Sequence, residues 1–486
     1  MSIESHSFDV IVAGCGVGGL SAAVTALEAG ASVAIIERAA EAERGGNTRY
    51  TEAYFRMQSD TEVTDDFETH FANNAGGYLD PSLVDATKED YAQWPTIVRS
   101  LSFADPEVVA AFAAGCGPAV QWLKGLGVRF DFLPTQFLTK SQPRLLPIGG
   151  GLALLEALAG RATQLGARFF YRTTAHELVQ DARGAVIGLT AYAQGHRPVE
   201  FRGGSVVLAT GGFEGNSEML AQYMGSQAVH LRPVARGGYY NKGEGIRMAL
   251  AVGAAPGGDF ASFHAEPVDP RSGIAEPTVF VFPYGVLVNR QGLRFVDEGP
   301  GTVDAVYDTI TKTIWRQPEG IAYAIFDSKL GDVPNFKLGV RTDQPPIVAD
   351  SIEELATKLG LPGHVLAASV AQYNAACRPG PFRPLELDGL ATQGLNPPKS
   401  NWARPLDKPP YQAWPVIASC VFTYGGLKVD PRAHVLDADG DPIEGLYAAG
   451  EVVGLYYKVY TGATSVLKGA VFGRFAGQEA AKRRRA

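Results

Sequence analysis

Cysteine is scarce in this sequence: Cys15, Cys116, Cys377 and Cys420 are the only four in 486 residues. None stands in a CxxC or CxxCH spacing, which argues against iron–sulfur ligation, c-type haem and a disulfide framework, and suits a reducing cytoplasm. No metal site is expected. Long apolar runs are missing too, since none reaches the ~18 residues that would span a bilayer. The opening MSIESHSFDV lacks the basic and apolar regions of a secretory signal, so the expectation is a cytoplasmic protein with no membrane span. Positive charge is in deficit, with 43 Lys and Arg against 51 Asp and Glu and a net charge of −8. That leaves no electrostatic footprint for nucleic acid. The closing KRRRA run reads as a solvated helix end.

What is abundant is glycine, 57 residues in all, well above the ~7% of an average chain. Backbone approaching a large ligand closely is one reason for such a surplus, and the positions of the glycines support it. The segment FDVIVAG, Phe8 to Gly14, is an apolar run of strand length, followed by a helix expected from Val17 to Glu28, with Gly30 placed for a left-handed helix end. The next strand, Ser32 to Arg38, completes a βαβ unit. Between them, GCGVGG supplies Gly14, Gly16 and Gly19 in GxGxxG spacing, with Val17 and Gly18 opening the helix. The first glycine makes the turn, the second lets backbone reach a pyrophosphate, and the third lets the helix pack on the strand. Glu37, beside Arg38, closes the second strand where a carboxylate accepts hydrogen bonds from a ribose diol. A dinucleotide is therefore expected.

Four further glycine clusters decide which one. ERGGNTRYT follows the acidic residue, VVLATGGFEGN and NKGEGIRMAL (with Gly245) add turns at strand ends, and EGLYAAGEVVG places Gly450 and Glu451 near the carboxyl end. A nicotinamide cofactor needs no distant C-terminal strand to complete its site, whereas extended FAD has a ribitol and an isoalloxazine still to hold. The fold expected is α/β, with a Rossmann-like (GR2-type) FAD-binding domain that is discontinuous and carries an inserted α+β capping domain. Composition sets the boundaries at 1–262 and 420–486 for FAD and 263–419 for the cap. Within the cap, Ser351 and Glu354 form a capping box at the start of a helix.

These segments, in this order, resemble the flavoprotein subunit family of succinate dehydrogenase and fumarate reductase. The nearest likeness is to its soluble dehydrogenase branch of tricarballylate dehydrogenase, 3-ketosteroid dehydrogenases and 4-oxocyclohexanecarboxylate desaturases. The resemblance implies that Gly45, Gly46, Asn47 and Thr48 line the flavin and pyrophosphate, and that Ala175 offers backbone to adenine. It places Thr210, Gly211 and Gly212 along the adenosine end, Glu451 at the ribitol, and Ser465 and Val466 at the pyrimidine edge of the flavin. Members with covalent flavin carry a histidine in the segment matching GGNTRYT. None stands there, so the FAD is expected to be non-covalent.

The departures bear on substrate. Where fumarate reductases hold a dicarboxylate with an arginine and a histidine, this chain has Tyr460 and Phe422, and no Arg or Lys stands between Arg271 and Arg290, where the family's proton donor is looked for. An unpaired buried charge costs several kcal/mol, so a small, cyclic ketone or keto acid is the expected substrate and α,β-desaturation the expected reaction. Tyr460 is the expected donor to the carbonyl oxygen, and Tyr284, Tyr424 and His264 are candidates for the base. The electron acceptor stays open among oxygen, a quinone and a redox partner protein. Two alternatives remain: a fumarate-reductase-like ene-reductase or a tricarballylate-type dehydrogenase acting on a polycarboxylate, and a flavin-bearing electron carrier. A cap of ordinary length speaks against the carrier, because hydride transfer is what needs shielding from water.

Overall fold

The strand Val10–Ala13 is fully buried along its length, as the middle of a parallel sheet requires. The computed structural model describes residues 3–74, 80–90, 93–101 and 103–483, so the last residues of the KRRRA run lie outside it. Gly14 ends the strand at φ +109°, a value that favours glycine, and the helix Val17–Glu28 begins without any side chain capping it. That helix stops as the sequence implies. Gly30 N–H bonds the Leu27 carbonyl and Ala31 N–H bonds the Ala26 carbonyl, the paired bonds of a Schellman end. The strand Val33–Ile36 then pairs in parallel with Val10–Ala13.

Six strands make this sheet, in the order His434–Leu436, Pro442–Ala448, Ser205–Leu208, Val10–Ala13, Val33–Ile36, Arg168–Phe170. All neighbours are parallel except the first two. Chain from the two ends of the sequence thus meets in one sheet. The final helix, Ser465–Lys482, seals this closure through Gly469, Gly473 and Gly477, whose missing Cβ atoms would collide with Val17, Gly18 and Ala22 of the first helix. A glycine on every fourth residue clears one helix face for close packing. Ser205–Leu208 is shorter than the sequence suggests, so Thr210, Gly211 and Gly212 stand on the loop beyond the carboxyl end of the strand. In open α/β sheets that is where ligands bind.

A second sheet is built around the thirteen-residue strand Tyr411–Thr423. Phe263–Val268, Ile321–Phe326 and Ile347–Ala349 all pair with it antiparallel, and Val286–Asn289 extends it beyond Ile321–Phe326. The helix Val303–Trp315 leans on Phe263–Val268, with the Phe263 and Trp315 rings edge to face at 5.2 Å. The helix Ile352–Leu359 starts on Ser351, whose Oγ accepts from Glu354 N–H at 3.1 Å. Glu354 returns its carboxylate to Asp350 N–H rather than to Ser351, so the capping box closes one residue early. Strand Tyr411–Thr423 leads out of this sheet into the first, where Thr423 N–H donates to Glu451 at 2.9 Å.

Candidate active site

A cleft of about 1150 Å³ runs along the carboxyl ends of the parallel strands. Seven of its wall residues, Gly14, Gly16, Gly18, Gly45, Gly46, Gly211 and Gly450, bring backbone and no side chain. Val17, Glu37, Arg38, Asn47, Thr48, Ala175, Thr210, Glu451, Ser465 and Val466 also line it. Gly19, Gly212 and Gly245 do not. A Cβ on them would strike Gly14, Glu451 and Thr210 respectively, so they let the walls close rather than face the cleft. Two helix starts, at Val17 and at Ser465, open onto it; their first N–H groups are donated to Thr48 Oγ1 at 3.1 Å and to the Tyr460 hydroxyl at 3.0 Å, and the positive end of the helix dipole suits an anion there.

Glu37 is buried and accepts backbone N–H from Cys15 (3.1 Å) and Ala39 (2.8 Å). Burial pushes its pKa up, and the two amides and Arg38 oppose the rise. Further along, Asn47 Nδ2 donates to Glu214 (2.7 Å) and to the Val421 carbonyl (2.9 Å), and Asn241 Nδ2 donates to Glu214 at 2.6 Å. Glu214 and Glu451 share this buried corner, where burial and their mutual repulsion raise Glu214 well above the carboxylate range, so one of the pair keeps a proton. Lys468 lies behind them with Nζ on the Val453 carbonyl at 2.6 Å, and burial lowers it to about 7 against the pull of Glu451. Glu214, Asn241 and Lys468 escaped the sequence reading. The motif VVLATGGFEGN contains the first of them, but only the fold sets it against Glu451.

A second cavity of about 510 Å³ continues from the cleft, sharing Thr51, Val421, Ser465 and Val466 with it. Here the tyrosine expectations change. Tyr460 lines this cavity with its ring, but its hydroxyl accepts N–H from Thr464 and Ser465, both at 3.0 Å, and donates to Ser465 Oγ at 3.0 Å. It caps the start of the last helix, so its proton is not free for a substrate carbonyl. Tyr284 is absent from the cavity wall; its hydroxyl donates to the Pro384 carbonyl at 2.6 Å inside the second sheet's core. Tyr424 is fully buried behind Phe422 and accepts from Lys312 Nζ at 3.2 Å. Lys458 is exposed.

His264 does face the cavity, and it brings partners the sequence reading missed. Its Nδ1 is 3.0 Å from Asp308 Oδ1 and its Nε2 is 3.2 Å from the Tyr307 hydroxyl. Asp308 also pairs with Lys312 at 2.9 Å. Burial works to raise Asp308, but Lys312 and His264 outweigh it and hold the carboxyl at about 2. Burial lowers the imidazole of His264, and Asp308 only partly restores it. The resulting order is a carboxylate, a neutral imidazole with its proton on Nδ1, and an unprotonated Nε2 that accepts from the Tyr307 hydroxyl. Strand alternation puts His264 and Glu266 on one face, and the 3.6-residue turn of Val303–Trp315 puts Asp304, Tyr307 and Asp308 on another.

Arg144, which the sequence reading did not single out, also lines the cavity and is 2% exposed. It is not a free cation: its guanidinium holds both Asp304 oxygens, at 2.7 and 2.8 Å. Arg341 lies close by, paired with Glu52 at 2.8 Å and Glu276 at 3.0 Å. Among the described residues, no group of three or more His, Cys, Asp or Glu is arranged to hold a metal ion.

A family profile described as an FAD binding domain matches residues 9–467. The vinyl phenol reductase of Lactiplantibacillus plantarum is 28% identical, over 93% of this chain and 91% of its own. The open conformation of a flavocytochrome c3 fumarate reductase superimposes with a TM-score of 0.72 at 26% identity, covering 99% of this chain and 79% of that one. The 3-ketosteroid-Δ4-(5α)-dehydrogenase of Rhodococcus jostii RHA1, solved with 4-androstene-3,17-dione, gives 0.68 at 25% identity, covering 99% and 100%.

Proposed function

The chain belongs to the FAD binding domain family, flavoproteins of the fumarate reductase and succinate dehydrogenase type, and from that premise we propose that it is a dehydrogenase introducing a C=C bond α,β to the carbonyl of a small, neutral ketone. It is an FAD-dependent oxidoreductase acting on carbon–carbon bonds. The glycine-walled cleft with two helix starts fits a dinucleotide diphosphate, and Glu37 stands where a ribose diol is held. In this reading 1–262 and 420–486 hold FAD and 263–419 close over its ring.

One observation carries the substrate class. Every cation at the second cavity already has a carboxylate partner, Arg144 on Asp304 and Arg341 on Glu52 and Glu276. A dicarboxylate entering there would leave water without gaining a counterion. When bound, FAD accepts the hydride that leaves the β carbon. The chain's own residues handle the proton: Tyr307 oxygen takes it from the α carbon as the tyrosine proton passes to His264 Nε2, and Asp308 stabilises the imidazolium. The Cα–H and Cβ–H bonds break, the C=C bond forms, and one proton remains on His264. Run backwards, the same groups protonate an alkene, and the reductase among the relatives gives that direction its support.

Product analysis separates the two directions. With 4-methylcyclohexanone and an artificial electron-accepting dye, we expect the α,β-unsaturated ketone in amounts equal to the dye reduced. No enone from the saturated ketone, together with rapid reduction of the enone by dithionite-reduced enzyme, would reverse the assignment. The flavin itself is expected to leave with acid. No histidine stands in GGNTRYT, so acid precipitation should release the yellow colour as FAD, and colour kept in the pellet would contradict this.

A further inference from the structure

Glu266 is a buried carboxyl on the cavity wall that no step above uses. It lies two residues along the strand from His264 and therefore shares its face. Only 7% of it is exposed, and its Oε2 has no hydrogen-bond partner. Its Oε1 comes no nearer to His264 Nε2 than 4.0 Å. The cation that might have served it is taken, since Arg341 is closed on Glu52 and Glu276. Buried carboxyls normally find a partner inside the protein. This one lines the cavity and has an oxygen with no partner.

We propose that Glu266 is the residue that binds the substrate carbonyl, as a neutral carboxylic acid donating its O–H to the ketone oxygen. The inference rests on the ketone reading and names the anchor that Tyr460, spent on the helix start, leaves unfilled. Three carboxyls, Glu52, Glu266 and Glu276, crowd one guanidinium, and they cannot all be ionised. Glu52 and Glu276 hold the ion pairs, so the proton belongs to Glu266. The other groups facing it agree. Burial pushes Glu266 well above the carboxylate range, Glu276, Glu52 and Asp308 add to the rise, and Arg341 alone opposes it. Tyr307 stands on the same wall with its phenol also raised well above its ordinary value, chiefly by burial, and so brings no competing charge. Glu276 itself is raised to about 7 by burial, against Arg341. A donor held in place beforehand strengthens its bond as the carbonyl oxygen gains negative charge, which is how an oxyanion hole accelerates proton abstraction. With Tyr307 taking the α proton and Glu266 holding the oxygen, both ends of the enolising unit are served from the cap.

The test compares Glu266→Gln and Glu266→Leu in the FAD-loaded enzyme, with 4-methylcyclohexanone and an electron-accepting dye. Glutamine keeps a neutral donor and leucine keeps only the bulk. Leucine should lower kcat by ~10²–10³, as loss of one oxyanion donor does elsewhere, with FAD content unchanged; glutamine should restore most of the rate. The parent's kcat/KM should fall at alkaline pH as Glu266 loses its proton, and the glutamine variant should lack that fall. A leucine variant as fast as the parent, a glutamine variant as slow as leucine, or an alkaline limb kept in Glu266→Gln would each overturn the proposal. Should leucine fail to retain FAD, the pH profile of Glu266→Gln decides alone. A parent enzyme inert toward the neutral ketone would sink the underlying reading instead, so the two failures stay distinct.

Discussion

Tyr307→Phe should cut turnover by ~10²–10⁴, the usual worth of a positioned acid–base group, while leaving FAD content unchanged. The variant keeps the ring, and with it the contacts to Phe137 at 5.0 Å and Phe280 at 5.2 Å. It deletes only the hydroxyl that bridges the substrate space to His264 Nε2. Tyr307 is on the helix Val303–Trp315 and lines the second cavity but not the glycine-walled cleft, so cofactor retention is an independent control. His264→Gln should fall by a similar factor. The double variant should be little worse than either single one, because residues acting as one unit are not additive. Activity should decline on the acid side, where His264 takes up a proton before the substrate can give one. Since burial lowers the imidazole and Asp308 only partly restores it, that decline belongs below the ordinary histidine range. Full turnover in Tyr307→Phe would show that the proton leaves by another route.

Selection by charge is the second large effect. A dicarboxylate in the second cavity would face Glu266, Glu276 and Asp304 and find Arg144 and Arg341 already engaged. Loss of hydration without a counterion costs several kcal/mol, and each 1.4 kcal/mol is tenfold. Neutral ketones should therefore be preferred over succinate by ~10² or more in kcat/KM. The preference should survive high salt, because the Arg144–Asp304 pair is buried and poorly screened.

How much of this could be read in the sequence depended on distance along the chain. The βαβ unit, Gly30 at its helix end and the GxGxxG turn were legible because each is decided within a few residues. Glu37 was legible for the same reason. Arg144 was not, since its partner Asp304 is 160 residues away and nothing local marks the pair. Tyr460 was found, and its hydroxyl is engaged at the start of the last helix. The backbone N–H groups that donate to its hydroxyl are only four and five residues on, and the turn that brings them there passes through Ala463 at φ +63°, which no residue type announces. Tyr284 and Tyr424 were candidates for the base, and their hydroxyls end on Pro384 and Lys312. One signal was available and went unread. In VDAVYDTITKTIW the polar residues Asp304, Tyr307, Asp308 and Thr311 recur at helical spacing on the same stripe as Val303, Ile310 and Ile314. Charge on the buried stripe of a helix needs a reason, and here the reason is the cavity.

Hydride transfer from a neutral ketone to this flavoprotein is tested most directly by anaerobic titration of the oxidised enzyme. Adding 4-methylcyclohexanone in the absence of any acceptor should bleach the flavin absorbance band, and succinate at equal concentration should leave it unchanged. Bleaching by succinate with none by the ketone would contradict the account and assign the cavity to carboxylates.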